Sequence, residues 1–389
     1  MFNIIVLGLV SLLTDISSEM VYPIIPLYLV NRLGATPALV GVIEGIAESL
    51  ASLLKVFSGY HSDKLQSRKP LAILGYGFSG LAKLLFVFAS SWSWVLWGRI
   101  GDRFGKGVRT APRDALIAES ATKEKMGWAF GLHRALDSLG AVIGVTLAFY
   151  FITKYKGDYR AVFMWSLVPA FLGVACLLLV KEKMVKNKDS VKQLSISWST
   201  LNPRLKRFLV VVFIFALGNS SNQFLLLRAQ DLGFNTSTVL LLYLLFNVVY
   251  TIASFPLGAL SDRVGRRTLL VLGYVFYGLV YFGFAVATHS YQLWLLFGLY
   301  GIYSAATEGV EKALVSEIAP ENQKATLIGL HATLVGIGLL PASIIGGALW
   351  NFFGARATFY FGGALGLLAA LGMAVVLSGS NPLQRKYST

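Results

Sequence analysis

Twelve stretches of the chain stay largely apolar for about 20 residues or more, the length an α-helix needs to cross the hydrocarbon core of a bilayer. They run over 3–30, 38–58, 69–90, 92–117, 126–153, 159–180, 207–227, 236–258, 268–288, 291–316, 325–350 and 356–378. Inside lipid every backbone polar group must find its partner within the protein, so runs of this length are expected to fold as a bundle of transmembrane helices. Charge usage agrees: 14% of the 389 residues are charged, against about 25% in soluble domains. The expected fold class is an all-α membrane protein, with the lipid bilayer as its first partner. The N-terminus is apolar from Phe2, with no basic segment ahead of it, and is expected to be an uncleaved first span.

The net charge of +15 does not require a nucleic-acid partner. The basic residues gather in short connections and in 181–206, KEKMVKNKDSVKQLSISWSTLNPRLK, as they do in cytoplasmic loops. Lys64, Arg68 and Lys69 lie between spans two and three, and Arg263, Arg266 and Arg267 between spans eight and nine. With the central segment, they place both termini in the cytoplasm of a multi-pass protein of the cell inner (plasma) membrane. The expected organisation is a six-helix bundle over 1–180, a basic linker over 181–206 and a second six-helix bundle over 207–389. Cys176 is the one cysteine, so no intrachain disulfide forms. There is no P-loop, no zinc-protease motif and no nucleophile elbow. No enzymatic activity, cofactor or bound metal is expected, and a monomer is.

The two halves repeat. GYHSDKLQSRKPLAILGY (59–76) recurs as GALSDRVGRRTLLVLGY (258–274), with Gly59, Asp63 and Lys64 matched by Gly258, Asp262 and Arg263. In the same register Arg113 to Leu116 answers Glu311 to Leu314, Glu119 answers Glu317, and Gly131-Leu132-His133 answers Gly329-Leu330-His331. The matched residues are mostly charges, glycines and histidine, which apolar composition alone does not reproduce. Two parallel six-helix repeats describe one transporter architecture, with the substrate site near the bilayer midplane.

On these residues the chain resembles the major facilitator superfamily along its whole length. The loop signature of glycine, aspartate four residues on, then a basic cluster occurs twice. His61 stands where an apolar residue is usual in the first copy, and Gln66-Ser67 replace the usual glycine. The resemblance implies a gating role at the cytoplasmic side for Asp63, Arg68 and Lys69, and for Asp262, Arg266 and Arg267. It implies that spans one, four, seven and ten line a central cavity. Arg103 and Gly107 match the family's Arg-x-x-x-Gly in span four. Gly131, Gly140 and Gly144 have the spacing of its proton-antiporter motif, with Val145 where proline is expected; the plain alternative for Gly140-x-x-x-Gly144 is close helix packing.

Ionisable groups cost about 2.5–3.5 kcal/mol each inside a bilayer and face a cavity or one another. In span four, Arg99, Asp102, Arg103, Lys106, Arg109 and Arg113 fall within about 120° of the helix circumference and must face the bundle interior. Pro112 is expected to kink or break this helix, and Pro23 and Pro26 the outer half of span one. Asp15 and Glu19 share a face of span one, and Glu44 and Glu48 a face of span two. With Glu308 these are the candidate proton carriers, since a carboxyl group held away from water can exchange a proton near neutral pH. Span three adds Lys83 and span two adds Lys55. Arg99, Arg103, Lys106 and Arg109 stay charged, and either bind an anionic substrate or hold Asp15 and Glu19. Asn219, Asn222, Gln223, Tyr243 and Asn247 are the polar substrate-binding candidates of the second half. Arg113, Asp114, Arg134 and Asp137 are expected to tie the spans together beside the gate, and His133 and His331 to pack. The function expected is secondary active transport of a small solute by alternating access, proton-coupled and outward or by exchange. The alternative is proton-coupled uptake of an anionic metabolite or a metal chelate such as a siderophore, with direct metal-ion transport a weaker option.

Overall fold

A computed structural model describes residues 1–65, 68–121, 126–182, 201–318 and 324–376. Within them every regular element is α-helical: α1 (Phe2–Val21), α2 (Ile25–Asn31), α3 (Pro37–Leu65), α4 (Lys69–Ala82), α5 (Leu84–Val87), α6 (Trp92–Ser120), α7 (Met126–Lys154), α8 (Tyr159–Leu178), α9 (Pro203–Gly218), α10 (Gln223–Asp231), α11 (Thr236–Val264), α12 (Arg266–Val286), α13 (Tyr291–Ile318), α14 (Lys324–Phe353) and α15 (Ala355–Val376). These fifteen segments make twelve spans, because α1–α2, α4–α5 and α9–α10 are each one interrupted span. Most of the expected basic linker, and the side chain of Asp63, lie outside the described residues.

Nine spans hold an apolar window long enough to cross a membrane by composition alone, counted over the described residues. The other three, α3, α6 and α13, carry Glu44, Glu48 and Lys55, the charged stripe of span four, and Glu308, Glu311 and Lys312. Their polar faces turn into the protein, so their apolar content falls where lipid is not the neighbour.

In one half α1 packs on α7 and α8, and α6 on α3 and α4; in the other α11 and α12 pack on α13, and α15 on α9 and α12. Across the halves α3 meets α14 and α7 meets α11. The repeat relates α3 to α11 and α7 to α14, so the two cross-half pairs are equivalent, as a pseudo-two-fold axis requires. Small residues set the closeness. A Cβ added at Gly144 would stand 2.6 Å from the Ile16 carbonyl oxygen, and one at Gly140 2.6 Å from that of Leu12. These glycines therefore let α7 lie against α1 backbone to backbone. Gly131 meets nothing and has no such role. Gly144→Val is expected to destabilise the bundle by about 1–3 kcal/mol, because a side chain would be forced against backbone that cannot yield; thermal unfolding in detergent measures it.

Span one breaks at 22–24, where Pro23 and Pro26 were expected to act. Pro112 does not break its helix: α6 runs continuously through it. Span seven breaks at 219–222, which hydropathy did not predict. The local cause is the run Gly218-Asn219-Ser220-Ser221-Asn222, whose short polar side chains compete with the helix for backbone hydrogen bonds.

Candidate functional site

Between the halves lies a cavity of about 550 Å3. Its deep end is sealed. There α2 packs on α10, Phe224 stacks on Trp350 at 5.9 Å, a Cβ at Gly347 would meet the Ala38 backbone, and Gln230 hydrogen-bonds Asn31 across the halves. At the other end, on the face that carries the start of α1 and the end of α15, the cavity is open. Arg134 and Glu308 line the cavity with 60% and 56% of their side-chain surface exposed, whereas Glu44 at the deep end is 1% exposed.

The first half supplies charge. Glu44 accepts from Arg99 Nη2 at 2.6 and 2.7 Å, from Arg99 Nε at 3.1 Å and from Gln223 Nε2 at 2.9 Å, so one carboxylate joins α3, α6 and α10. Arg103 Nε stands 2.9 Å from Glu48 Oε1 as an ion pair without hydrogen-bond alignment. Both guanidinium groups lie over the Tyr22 ring, at 5.5 and 5.8 Å. The cations of span four thus hold Glu44 and Glu48; Arg99 sits behind Glu44, off the cavity wall. Asp102 turns away to Ser79 and toward Lys83, whose Nζ donates to Ser17 at 2.6 Å and Ser18 at 3.1 Å.

Asp15 lies on the wall facing Asp137 of α7. Asp137 also accepts from Ser11 at 2.6 Å and lies 3.5 Å from Arg134. Asp15 has no cation within ion-pair distance among the described residues. The close approach at Gly140 and Gly144 brings these two carboxyl groups together. Glu19 accepts from Tyr243 at 3.1 Å, across the halves. Arg134 Nη2 donates to the Tyr250 hydroxyl at 2.6 Å, and that hydroxyl donates to Glu308 at 2.8 Å, a second bridge between halves.

The second half supplies aromatic and amide surface. Phe246 stacks on Tyr243 at 5.6 Å and lies 5.4 Å from Tyr300. Tyr300 donates to Asn222 at 2.7 Å, and Asn219 donates to Tyr303 at 3.4 Å. Asn219 and Asn222 belong to the break in span seven, so interrupted backbone lies where it faces the cavity. Asn247 lines the wall and donates to the Tyr243 carbonyl at 2.9 Å. Glu311 accepts from Tyr274 at 2.9 Å and lies 3.2 Å from His331. His133 is buried at 6% exposure with Nε2 unpartnered.

The two loop signatures make matching contacts on the terminal face. Arg68 Nε lies 2.6 Å from Glu119, and Arg266 Nη1 3.1 Å from Glu317. Lys69 Nζ donates to the carbonyls of Leu178 and Val180 at the end of α8, and Arg267 to that of Ala374 near the end of α15. Asp262 pairs with Arg266 at 3.3 Å. Arg113 pairs with its neighbour Asp114 at 2.8 Å, an ion pair within α6 and not between spans.

Sequence reasoning missed Tyr22, Tyr250, Tyr300 and Tyr303. The last two had a visible signal, since with Thr307 they form a polar-aromatic stripe at helical spacing in a span that falls short of lipid hydropathy. Tyr22 and Tyr250 had none, because single tyrosines in a span are indistinguishable from interfacial ones.

Paired pseudo-symmetric bundles around a polar cavity, open at one face and sealed at the other, define a secondary transporter of small solutes. The sequence model of the Major Facilitator Superfamily matches residues 7–227 and 208–388. An uncharacterized MFS-type transporter of Methanocaldococcus jannaschii is 38% identical over 375 residues, 95% of this chain and 93% of that protein. The multidrug resistance protein MdtG of Escherichia fergusonii is 25% identical over 371 residues, 92% of this chain and 90% of its own. The multi-drug resistance efflux pump PmrA of Streptococcus pneumoniae is 27% identical over 375, 90% of each. The fold matches a solved bacterial homologue of the lysosomal transporter Spinster in an inward-facing, occupied conformation, with TM-score 0.80 at 15% identity over 97% of each chain. It also matches the nucleoside transporter NupG, with TM-score 0.77 at 13% identity over 98% of this chain and 100% of that one. The chain belongs to the Major Facilitator Superfamily, a family of membrane transporters.

Proposed function

We propose that the protein is a proton-coupled secondary transporter that exports a small amphipathic solute by exchange. The observation that carries this reading is the carboxyl pair Asp15–Asp137 on the cavity wall. Two carboxyl groups brought together away from bulk water are most stable with a proton between them, and can release it when the surroundings change. Relatives named as multidrug efflux proteins support export. The basic connections on the terminal face support a cytoplasmic position for that face in a plasma-membrane protein, and in this reading the cavity is the inward-open state of a monomer. The halves 1–180 and 207–389 rock as units about the linker 181–206. Glu19, linked to Tyr243, and Glu308, linked to Tyr250, pass the effect of protonation across the halves, while Arg99 and Arg103 hold Glu44 and Glu48 in place.

The test uses vesicles reconstituted with the purified protein and an enclosed pH dye. A transported solute added outside should make an acid lumen more alkaline under exchange. Acidification would instead establish symport, the second reading, which the cations left unpaired on the cavity wall favour. No solute-dependent change in lumenal pH would reject proton coupling altogether.

The matched loop contacts act as gates in this reading. Asp262→Lys, which puts a like charge beside Arg266, should slow transport several-fold and leave solute affinity unchanged. A loss of affinity at unchanged rate, read from the concentration dependence of uptake, would remove Asp262 from the gate.

A further inference from the structure

On the cavity wall every carboxylate except Asp15 has a close donor or cation, whereas several of the cations have none. Glu19, Glu44, Glu48, Asp137, Glu308 and Glu311 each have a donor or cation at 3.2 Å or closer. Lys55, Lys106, Arg109 and Lys312 also line the cavity, and the described residues give their charged groups no hydrogen bond and no ion pair. Arg109 is 4% exposed, lies 4.4 Å over the Tyr76 ring, and leaves Nε and Nη1 without partners. Lys55, Lys106 and Lys312, from α3, α6 and α13, line the same cavity from both halves, and Lys106 and Lys312 both act electrostatically on Lys55. Lys106 also feels Asp15, Glu19 and Glu48, at more than ion-pair distance from each. Like charges gathered in a cavity repel one another and are costly without a counter-ion. The same cavity is lined by Phe215, Tyr243, Phe246, Tyr300 and Tyr303.

We propose that the transported solute is an amphipathic organic anion, its carboxylate, sulfonate or phosphate head held by Lys55, Lys106 and Lys312 and its ring system laid on the aromatic wall of the second half. Arg109 receives a second acidic group. This assignment rests on the reading of the cavity as the transport path, and it names the class of solute. A cavity of about 550 Å3 suits a solute of one to a few rings, since sites for drug-sized molecules span about 300–1,000 Å3. Because Lys55 and Lys106 belong to one half and Lys312 to the other, the anion is the counter-ion that lets the halves close over it.

The experiment measures binding to the full-length protein in detergent, at fixed pH and without a gradient, so that it is independent of proton coupling. Three matched probes are used: naphthalene-2-sulfonate, naphthalen-2-ylmethylammonium and naphthalene-2-methanol. The sulfonate should bind at least about tenfold tighter than the other two, the contrast expected when a charge-assisted contact is made to one probe alone. Lys106→Gln and Lys312→Gln should each remove about that factor, and Lys106→Arg should restore most of it. Thermal unfolding of each variant shows that it is folded, and Lys312, exposed within the cavity, is the substitution least able to disturb packing. Equal binding of the three probes, no binding of the sulfonate at millimolar concentration, or unchanged affinity in both lysine variants would overturn the proposal. Sulfonate binding with no proton movement in vesicles would uphold the substrate class and reject the coupling. Proton movement driven by cationic solutes alone would do the reverse.

Discussion

Arg99→Met should cost the protein about 3–5 kcal/mol of stability, because it strands a buried carboxylate. Arg99 is 2% exposed and Glu44 1%, and the pair is held by three contacts between 2.6 and 3.1 Å. Without the guanidinium, Glu44 keeps only the Gln223 amide, at 2.9 Å. Glu48 and Asp102, each 3.6 Å from Arg99, also lose a neighbour. The double variant Arg99→Met/Glu44→Leu should recover most of the loss, since replacing a buried ion pair by apolar groups of similar size is often close to neutral. Thermal unfolding in detergent reads both. A single variant as stable as the parent would show that the pair does not hold α3 to α6.

Asp15→Asn should lower proton-coupled flux to the background of empty vesicles and change stability by no more than about 1 kcal/mol. The small structural cost follows from the geometry. Asp15 has no cationic partner among the described residues, and the amide removes a like charge facing Asp137 while keeping shape. Asp137→Asn differs, because Ser11 at 2.6 Å and Arg134 at 3.5 Å engage that carboxylate, so flux and stability should fall together. Binding of naphthalene-2-sulfonate should survive Asp15→Asn, since Lys55, Lys106 and Lys312 all remain. Unchanged proton movement in Asp15→Asn would take the proton site away from this pair.

Much of the architecture was legible in the residues. Runs of apolar sequence set the spans, and the repeated Gly, Asp and Arg/Lys positions around 59–76 and 258–274 set the two-fold relation, because turn geometry and cytoplasmic charge depend on local chemistry. The face of α6 that carries Arg99, Arg103 and Arg109 followed from helical period alone. Their partners did not. Period places a side chain on a face but leaves open which neighbour that face meets, and here Glu44 and Glu48 of α3 stand nearer than Asp15 and Glu19 of α1. Asp137 was grouped with Arg134 as a gate residue, a pairing the 3.5 Å contact keeps. Its position facing Asp15 depends on how closely α7 approaches α1, which the glycines permit but do not announce. The break at Asn219–Asn222 has a signature in its composition, Gly218-Asn219-Ser220-Ser221-Asn222, but the strongly apolar residues on either side mask it in a hydropathy profile. Pro112 misled for the opposite reason, since a proline in a packed helix can be accommodated when neighbouring helices hold it.

Alternating access driven by protonation is the central claim, and distances between spin labels on the two faces of the bundle test it without knowledge of the solute. One label pair replaces Asn31 and Gln230 at the sealed face, another replaces Asp114 and Glu317 at the open face, and Cys176, the one cysteine, is changed to serine. As pH is varied, the distance at the sealed face should lengthen while that at the open face shortens, and Asp15→Asn should abolish the dependence. Distances that do not change with pH, that move in the same sense at both faces, or that respond equally in Asp15→Asn would contradict the account.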